Sequence, residues 1–297
     1  MGSATRISAG RTGRSCIVGW GPEQMEVAMH TYPMARFGAV ASPIVQRLEE
    51  MRARHLADGR ECSPSDGQSR PPWTAPTAEQ AALILAQSGL APLERKLSLA
   101  TVARHRHQRA AVEMLRRYLA DWRTALESHQ PPPEWWIVLA GRETGTGKSH
   151  LAAALVADLC RLGVRAMYLP EVRMTDALRA ACRADTEFGI TQLRERWSRA
   201  PVLVLDDLGA DRPTEFAARE LYGLIEARRR ARRGTIITTN SDPDAMEQHY
   251  DAVAPGQGRR ITSRIMGMCG GGRTWLDMNG PDLRAAGEVA LPMGGQG

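Results

Sequence analysis

One ten-residue stretch limits this chain's possible folds more than any other: Gly141-Arg-Glu-Thr-Gly-Thr-Gly-Lys-Ser-His150. An apolar run, Trp135–Ala140, precedes it and reads as a buried strand. An apolar run with helical periodicity, Leu151–Leu159, follows it. Strand, glycine-rich turn and helix in that order build a phosphate-binding loop. The glycines let backbone N–H groups turn inward around an anion, and the helix N-terminus adds its partial positive charge. Lysine is scarce: of the 39 Lys and Arg residues only Lys96 and Lys148 are lysines. One of the two stands where such a loop needs a cation for the β- and γ-phosphates, and Ser149 follows it as a Mg²⁺ ligand. These residues predict an ATP site made of Thr144, Gly145, Thr146, Gly147, Lys148, Ser149 and His150. The loop departs from the usual spacing. Its first glycine, expected at position 142, stands at Gly141, so one extra residue lies on the N-terminal side and the geometry around Arg142 is open.

A strand and a helix imply more of the same, and the pattern downstream supplies it. Val164–Leu169, Val202–Asp206, Thr235–Thr239 and Thr274–Asp277 read as strands. Glu171–Arg183, Thr191–Arg199, Thr214–Arg232 and Ile261–Met268 read as helices. This alternation predicts an α/β P-loop NTPase fold with a parallel sheet covered by helices on both faces. After Asp277 too little chain follows for a helical lid. Upstream, Val112, Leu115, Leu119, Trp122 and Leu126 share one face of a helix that Pro131-Pro132-Pro133 ends. A second helix spans Thr77–Leu90, capped by Thr77. Residues 1–76 read as weakly ordered, with a short helix at Ile44–Leu56 and a Ser/Pro/Gly-rich linker over Cys62–Pro76. The arginine-rich start, free of acids until Glu23, reads as a tail or an over-extended start of translation. The expected organisation is 1–76, a helical segment 77–130, the ATPase core 131–285 and a tail 286–297.

The phosphate loop needs acids on a neighbouring strand, and Val202-Leu-Val-Leu-Asp-Asp207 ends an apolar strand in two. Asp206 is expected to hold Mg²⁺ with Ser149, and Asp207 to orient or deprotonate the attacking water. Asn240 ends the Thr235–Thr239 strand, at the carboxyl edge where parallel sheets bind ligands, and can bond the γ-phosphate or that water. Arg260 and Arg264 lie one turn apart on a helix, and either can bring a guanidinium to a γ-phosphate. His105 and His107, two apart, make a poor metal pair and read as surface residues.

The net charge of +6 and pI near 9.4 favour an anionic partner, nucleic acid first, although an arginine-rich composition without a basic patch explains them equally well. Five scattered cysteines without a Cys-x-x-Cys pair indicate neither a zinc site nor a disulfide framework and fit the cytoplasm. No apolar run approaches membrane-spanning length. No Asn-Lys-x-Asp or Thr-Lys-x-Asp base-reading motif favours a GTPase, and a small-molecule kinase has no obvious use for the asparagine and arginine helix. A scaffold that binds ATP without turnover stays open on the odd loop spacing and on Asp207.

Gly-Thr-Gly-Lys-Ser-His-Leu-Ala (145–152), Val-Leu-Asp-Asp-Leu-Gly (204–209), Thr-Ile-Ile-Thr-Thr-Asn (235–240) and Arg-Ile-Thr-Ser-Arg-Ile (260–265) together resemble the DnaC/IstB group of AAA+ ATPases. The resemblance covers about residues 100–285, and the Gly280-Pro-Asp-Leu-Arg284 ending also looks like the group's, with no role assigned to Arg284. It implies Asn240 as first sensor and Arg264 as an arginine finger given to a neighbouring subunit, hence self-association. It implies Arg109–Leu126 as the linker helix and the reduced or absent lid characteristic of the group. By this likeness the chain is a loader of the replicative DNA helicase onto single-stranded DNA or, as the alternative, an ATPase assisting a DNA transposase. Asp207, where many AAA+ proteins have glutamate, points to slow, partner-stimulated hydrolysis. The arginines of 171–199 (Arg173, Arg179, Arg183, Arg194, Arg196) sit where relatives carry a single-strand-binding insertion, although a solvated helical face explains them equally well. In Arg228–Arg233, helix-end charge is the favoured explanation.

Overall fold

The strands are apolar on both faces, and that decides the layering. In the computed structural model, which describes residues 73–102, 105–183 and 187–285, all within the unit Pro72–Gly297, five parallel strands form one sheet in the order β2-β3-β4-β1-β5. They are β1 (Ile137–Ala140), β2 (Met167–Pro170), β3 (Val202–Leu208), β4 (Gly234–Thr239) and β5 (Trp275–Asp277). Successive side chains point to opposite faces. Ile137, Leu139, Val202, Val204 and Ile236 therefore enter one core, and Val138, Leu203, Leu205 and Ile237 the other. All nine are essentially inaccessible to solvent. Truncating any of the leucines to alanine costs about 2–5 kcal/mol.

The first core is roofed by α1 (Ala78–Gln87), α2 (Arg109–Glu127) and α3 (Lys148–Arg161). The second is roofed by α4 (Glu171–Arg183), α5 (Glu187–Arg199), α6 (Glu215–Arg230), α7 (Pro243–Asp251) and α8 (Gln257–Met268). This is the α/β P-loop NTPase fold expected from the sequence, a parallel sheet covered on both faces, and among the described residues no helix follows β5. Thr77 caps α1 with a reciprocal pair: its Oγ1 accepts from Gln80 N (3.2 Å) and its N–H donates to Gln80 Oε1 (2.9 Å). The expected helix at Ile44–Leu56 and most of the expected linker lie outside the described residues.

Four expectations are corrected. The helix after the phosphate loop begins at Lys148 rather than Leu151, so the loop's lysine and serine are its first residues. The strand carrying the acids does not neighbour the phosphate-loop strand, because β4 pairs with both and stands between them. That strand also runs on past Asp206 to Leu208, through a register shift against β4. Finally, α7 was missed altogether, although Asp242 caps it with Oδ1 accepting from Ala245 N (2.8 Å) and Pro243 sits in its first turn.

Arg228 also departs from its helix-end explanation. It is fully buried, with Nη1 donating to Trp197 O and Ala200 O (both 2.8 Å) and Nε to Thr235 Oγ1 (2.9 Å). It also donates to Gly234 O. One guanidinium thus ties the α5–β3 link to the start of β4, and burial pushes its pKa down to about 9. Its neighbours Arg229 and Arg230 face solvent and pair with Glu226.

Candidate nucleotide site

The loop between β1 and α3 depends on two glycines. Gly145 and Gly147 have φ of +73° and +91°, a region that side chains disfavour. Each also has a neighbour where a Cβ would stand: Asp282 Oδ1 would lie 1.8 Å from it at Gly145, and Gln108 Nε2 2.3 Å at Gly147. The loop is thus gripped from two sides. Gln108 Nε2 donates to Thr146 O (2.8 Å), with His107 Nε2 3.3 Å from the same oxygen. Leu283 N donates to Gly145 O (3.0 Å). His105 and His107 are therefore not the plain surface residues expected. His107 lies in a 3₁₀ turn (Arg106–Gln108) and His105 just before it, both half-buried, with stacked rings 5.8 Å apart.

Lys148 is buried in the loop, its Nζ 2.9 Å from Gly141 O, 2.7 Å from Glu143 O and 3.4 Å from Thr146 Oγ1. Burial lowers its pKa, while Asp207 and Asp206 oppose that shift. The extra residue is accommodated outward. Arg142 leaves the loop to pair with Asp242 (2.8 Å), and both side chains are largely exposed, so the pair adds little stability. Ser149 is exposed, Thr144 is exposed, and His150 is half-buried beside the charge of Glu94, with burial lowering its pKa.

β3 and β4 bring the acids to the same sheet edge. Asp206 is buried: Oδ1 accepts from Thr238 Oγ1 and Oδ2 from Tyr168 OH, each at 2.6 Å. Asp207 has φ +56°, a left-handed conformation at the register shift that turns its carboxylate outward. Its N–H donates to Thr238 Oγ1 (2.8 Å), so one hydroxyl holds both acids. Asn240 Nδ2 donates to Asp207 Oδ1 (3.1 Å). Partial burial raises the pKa of Asp207, with the Asp206 charge adding to the shift and Lys148 and Arg284 opposing it. Asp206, Asp207 and Asn240 thus stand together, with Lys148 within their electrostatic reach.

Arg264 is elsewhere. Its Nε donates to Glu226 on α6 (2.6 Å), its Nη1 to Arg260 O (3.1 Å), and its guanidinium lies 4.8 Å from the centre of the Tyr222 ring. All these partners are on α6 and α8, none on the phosphate loop. Of the arginines at 171–199, Arg173 donates to Gly89 O (2.9 Å), Arg179 pairs with Asp176 (3.5 Å) and Arg194 pairs with Glu220.

Several site residues escaped the sequence reading. Tyr168 and Thr238 lie within apolar-looking strands. Glu171 is buried under the loop after β3, accepting from Gly209 N and Tyr250 OH (both 2.7 Å), and its pKa is raised by burial. Arg284 lies in the C-terminal segment, where its charge acts on both Lys148 and Asp207. Only for Arg284 did the sequence give a signal, the Gly280-Pro-Asp-Leu-Arg284 ending that resembles the group's.

Comparison with known proteins places this chain beside ATP-binding relatives. The family of IstB-like ATP binding proteins matches residues 134–254. Protein YdaV of Escherichia coli K12 is 27% identical over 246 residues, covering 80% of this chain and 91% of that protein. The putative ATP-binding protein of insertion sequence IS1162 from Pseudomonas fluorescens is 38% identical over 103 residues, 35% of this chain and 42% of that one. The replicative helicase loader DnaC of Escherichia coli K12 is 24% identical over 161 residues, 54% of this chain and 62% of that one. The chain thus spans less than two thirds of the latter two. In fold it is similar to the crystal structure of DnaI, with a TM-score of 0.54 at 19% identity, covering 67% of this chain and 98% of that one.

Proposed function

On the premise that this chain carries an ATP-binding AAA+ core of the DnaC/IstB group, we propose that it hydrolyses ATP and loads the replicative DNA helicase onto single-stranded DNA. The ATPase part rests on one observation: Lys148, Ser149, Asp206, Asp207 and Asn240 converge on one edge of the sheet. The donor set fits its ligands. Ser149 and Asp206 offer the hard oxygen ligands that Mg²⁺ takes, and Lys148 with the inward-turned loop suits a polyphosphate. Bound Mg²⁺ would neutralise charge developing on the phosphates.

The chain's own residues do the rest. Lys148 leaves carbonyls that it already bonds and engages the phosphates. Asp207, turned outward by its left-handed backbone, orients the attacking water and accepts its proton. Asn240 fixes the Asp207 carboxylate and senses the γ-phosphate. Arg264, held on Glu226 and Tyr222, is given to the site of a neighbouring subunit, so turnover requires self-association. ATP binding assembles the loader with its helicase, and slow hydrolysis releases it.

The loader role draws on the likeness to DnaC. A second reading, an ATPase assisting a transposase, draws on the IstB family match and the higher identity to the IS1162 protein. Size-exclusion chromatography with light scattering separates them. The chain is mixed with the replicative helicase of its own organism, or with a transposase encoded beside it, with and without ATP·Mg²⁺. An ATP-dependent helicase complex that Lys148→Ala weakens supports loading. A complex with the transposase alone moves the assignment to transposition, and no ATP-dependent complex with either overturns both.

A further inference from the structure

Tyr168 occupies a position that ATP binding alone does not explain. It lies in the middle of β2, an edge strand of the sheet, and is 6% exposed. Its hydroxyl donates to Asp206 Oδ2 (2.6 Å), and the Ser149 side chain lies beside the tyrosine's own oxygen. The tyrosine therefore stands between the two groups that would ligate Mg²⁺. Asp206 Oδ1 is held separately by Thr238, so each carboxylate oxygen has one donor fixing it and a lone pair to spare.

The backbone of Tyr168 reaches the other way. Its N–H donates to Ser88 O (2.7 Å), at the end of α1, and this bond covers the otherwise open edge of β2. The chain can approach that closely because the next residue is Gly89. With φ +87°, a Cβ there would stand 2.3 Å from Tyr168 O. Arg173 at the start of α4 closes the contact on Gly89 O (2.9 Å). Further along the same segment, Arg161 Nη1 and Nη2 donate to Leu97 O and Arg95 O (both 2.7 Å), and Asp158 Oδ2 accepts from Leu99 N (2.8 Å). The segment running from α1 to Leu99 is thus strapped along α3 and β2, and the strap touches the site through Tyr168.

We propose that Tyr168 is a positioning residue that ties the docking of this N-terminal strap to the geometry of the two metal ligands. The inference rests on the ATPase reading and specifies how residues N-terminal to the core bear on its site. A docked strap presses Tyr168 against Asp206 and Ser149 and presets them for Mg²⁺. A displaced strap leaves the phosphate loop intact but loosens the pair.

Affinity for a fluorescent (mant) ATP, measured in Mg²⁺ and in EDTA on the full chain, tests this. Tyr168→Phe keeps the ring and removes only the hydroxyl. It is expected to lower the Mg²⁺-bound affinity about tenfold, the worth of one hydrogen bond to a charged group, while affinity in EDTA stays within twofold. Gly89→Ala leaves the hydroxyl in place and unseats the strap, and should lower the ratio of the two affinities in the same direction. This second variant decides the matter if Tyr168→Phe does not fold. An unchanged ratio in Tyr168→Phe, or an equal loss in both buffers, would overturn the hydroxyl's role, and an unchanged ratio in Gly89→Ala would overturn the coupling to the strap. Wild-type protein that binds no nucleotide in either buffer would refute the ATPase reading instead.

Discussion

Replacing Thr238 by valine changes one hydroxyl for one methyl of similar size, and the structure assigns that hydroxyl two bonds. It donates to the buried Asp206 carboxylate at 2.6 Å and accepts the Asp207 N–H at 2.8 Å. A bond to a charged group contributes about 1.5–3 kcal/mol, and an amide left without its acceptor costs about 1 kcal/mol where water has some access, as it does beside the exposed Asp207. The Thr238→Val loss is therefore about 3 kcal/mol, and the added methyl recovers little of it in a polar pocket. Urea unfolding followed by tryptophan fluorescence measures it. Turnover should suffer further, because Asp207 holds a left-handed backbone (φ +56°) that its amide bond helps fix. ATP hydrolysis should fall more than tenfold while nucleotide affinity in EDTA stays within twofold. A destabilisation under about 1 kcal/mol with normal turnover would refute the account of β4 as the element that holds both acids.

Three further outcomes follow from the same geometry. Arg228→Met should destabilise by about 3 kcal/mol or more, since it strips the donors from several buried carbonyls. Arg228→Lys should not rescue it, because an ammonium lacks the planar fork; thermal melting reads both. The raised pKa of Asp207 puts the acidic limb of the ATPase pH profile above the ordinary value of 3.8. Asn240→Ala, which removes a donor to its carboxylate, should move that limb higher. The folded state holds the Asp207 proton more tightly than the unfolded chain does, so this group's stabilisation is present at low pH and lost as pH rises through its raised pKa. Asp207→Asn should accordingly be no less stable at neutral pH, yet inactive. Arg264→Ala should bind ATP as well as wild type in dilute solution but lose turnover. Mixing it with inactive Lys148→Ala should restore activity, because each supplies what the other lacks, and mixed subunits that stay inactive would refute a finger given in trans.

The parts legible in the sequence were those with a local cause. A strand, a glycine turn and a helix announce the phosphate loop through neighbouring residues, and Thr77 with Gln80 announces a helix start. Strand order is not local: nothing in Val202–Asp206 or Thr235–Thr239 says which lies beside β1, so β4's central position stayed hidden. Nor did anything in Leu-Asp-Asp-Leu mark a register shift, since Asp tolerates a left-handed backbone without the glycine that would have advertised it. Arg228 is one of six arginines among residues 228–233 and 219. Only the direction in which it leaves α6 separates a buried tie from a solvated charge. α7 alone was legible and overlooked, for Ser-Asp-Pro-Asp carries both a cap and a first-turn proline.

The grip on the phosphate loop also bears on how the chain matures as it is made. Gln108 holds Thr146 and Leu283 holds Gly145, so the two jaws lie on either side of the entire sheet in the order of synthesis. Chains emerge from the ribosome N-terminal end first. β1, the loop and α3 therefore exist well before residue 283 can close on them. A nascent chain has its phosphate-binding residues long before it has a finished site. The backbone around Leu283, made after every strand of the sheet, acts as the latch that commissions it.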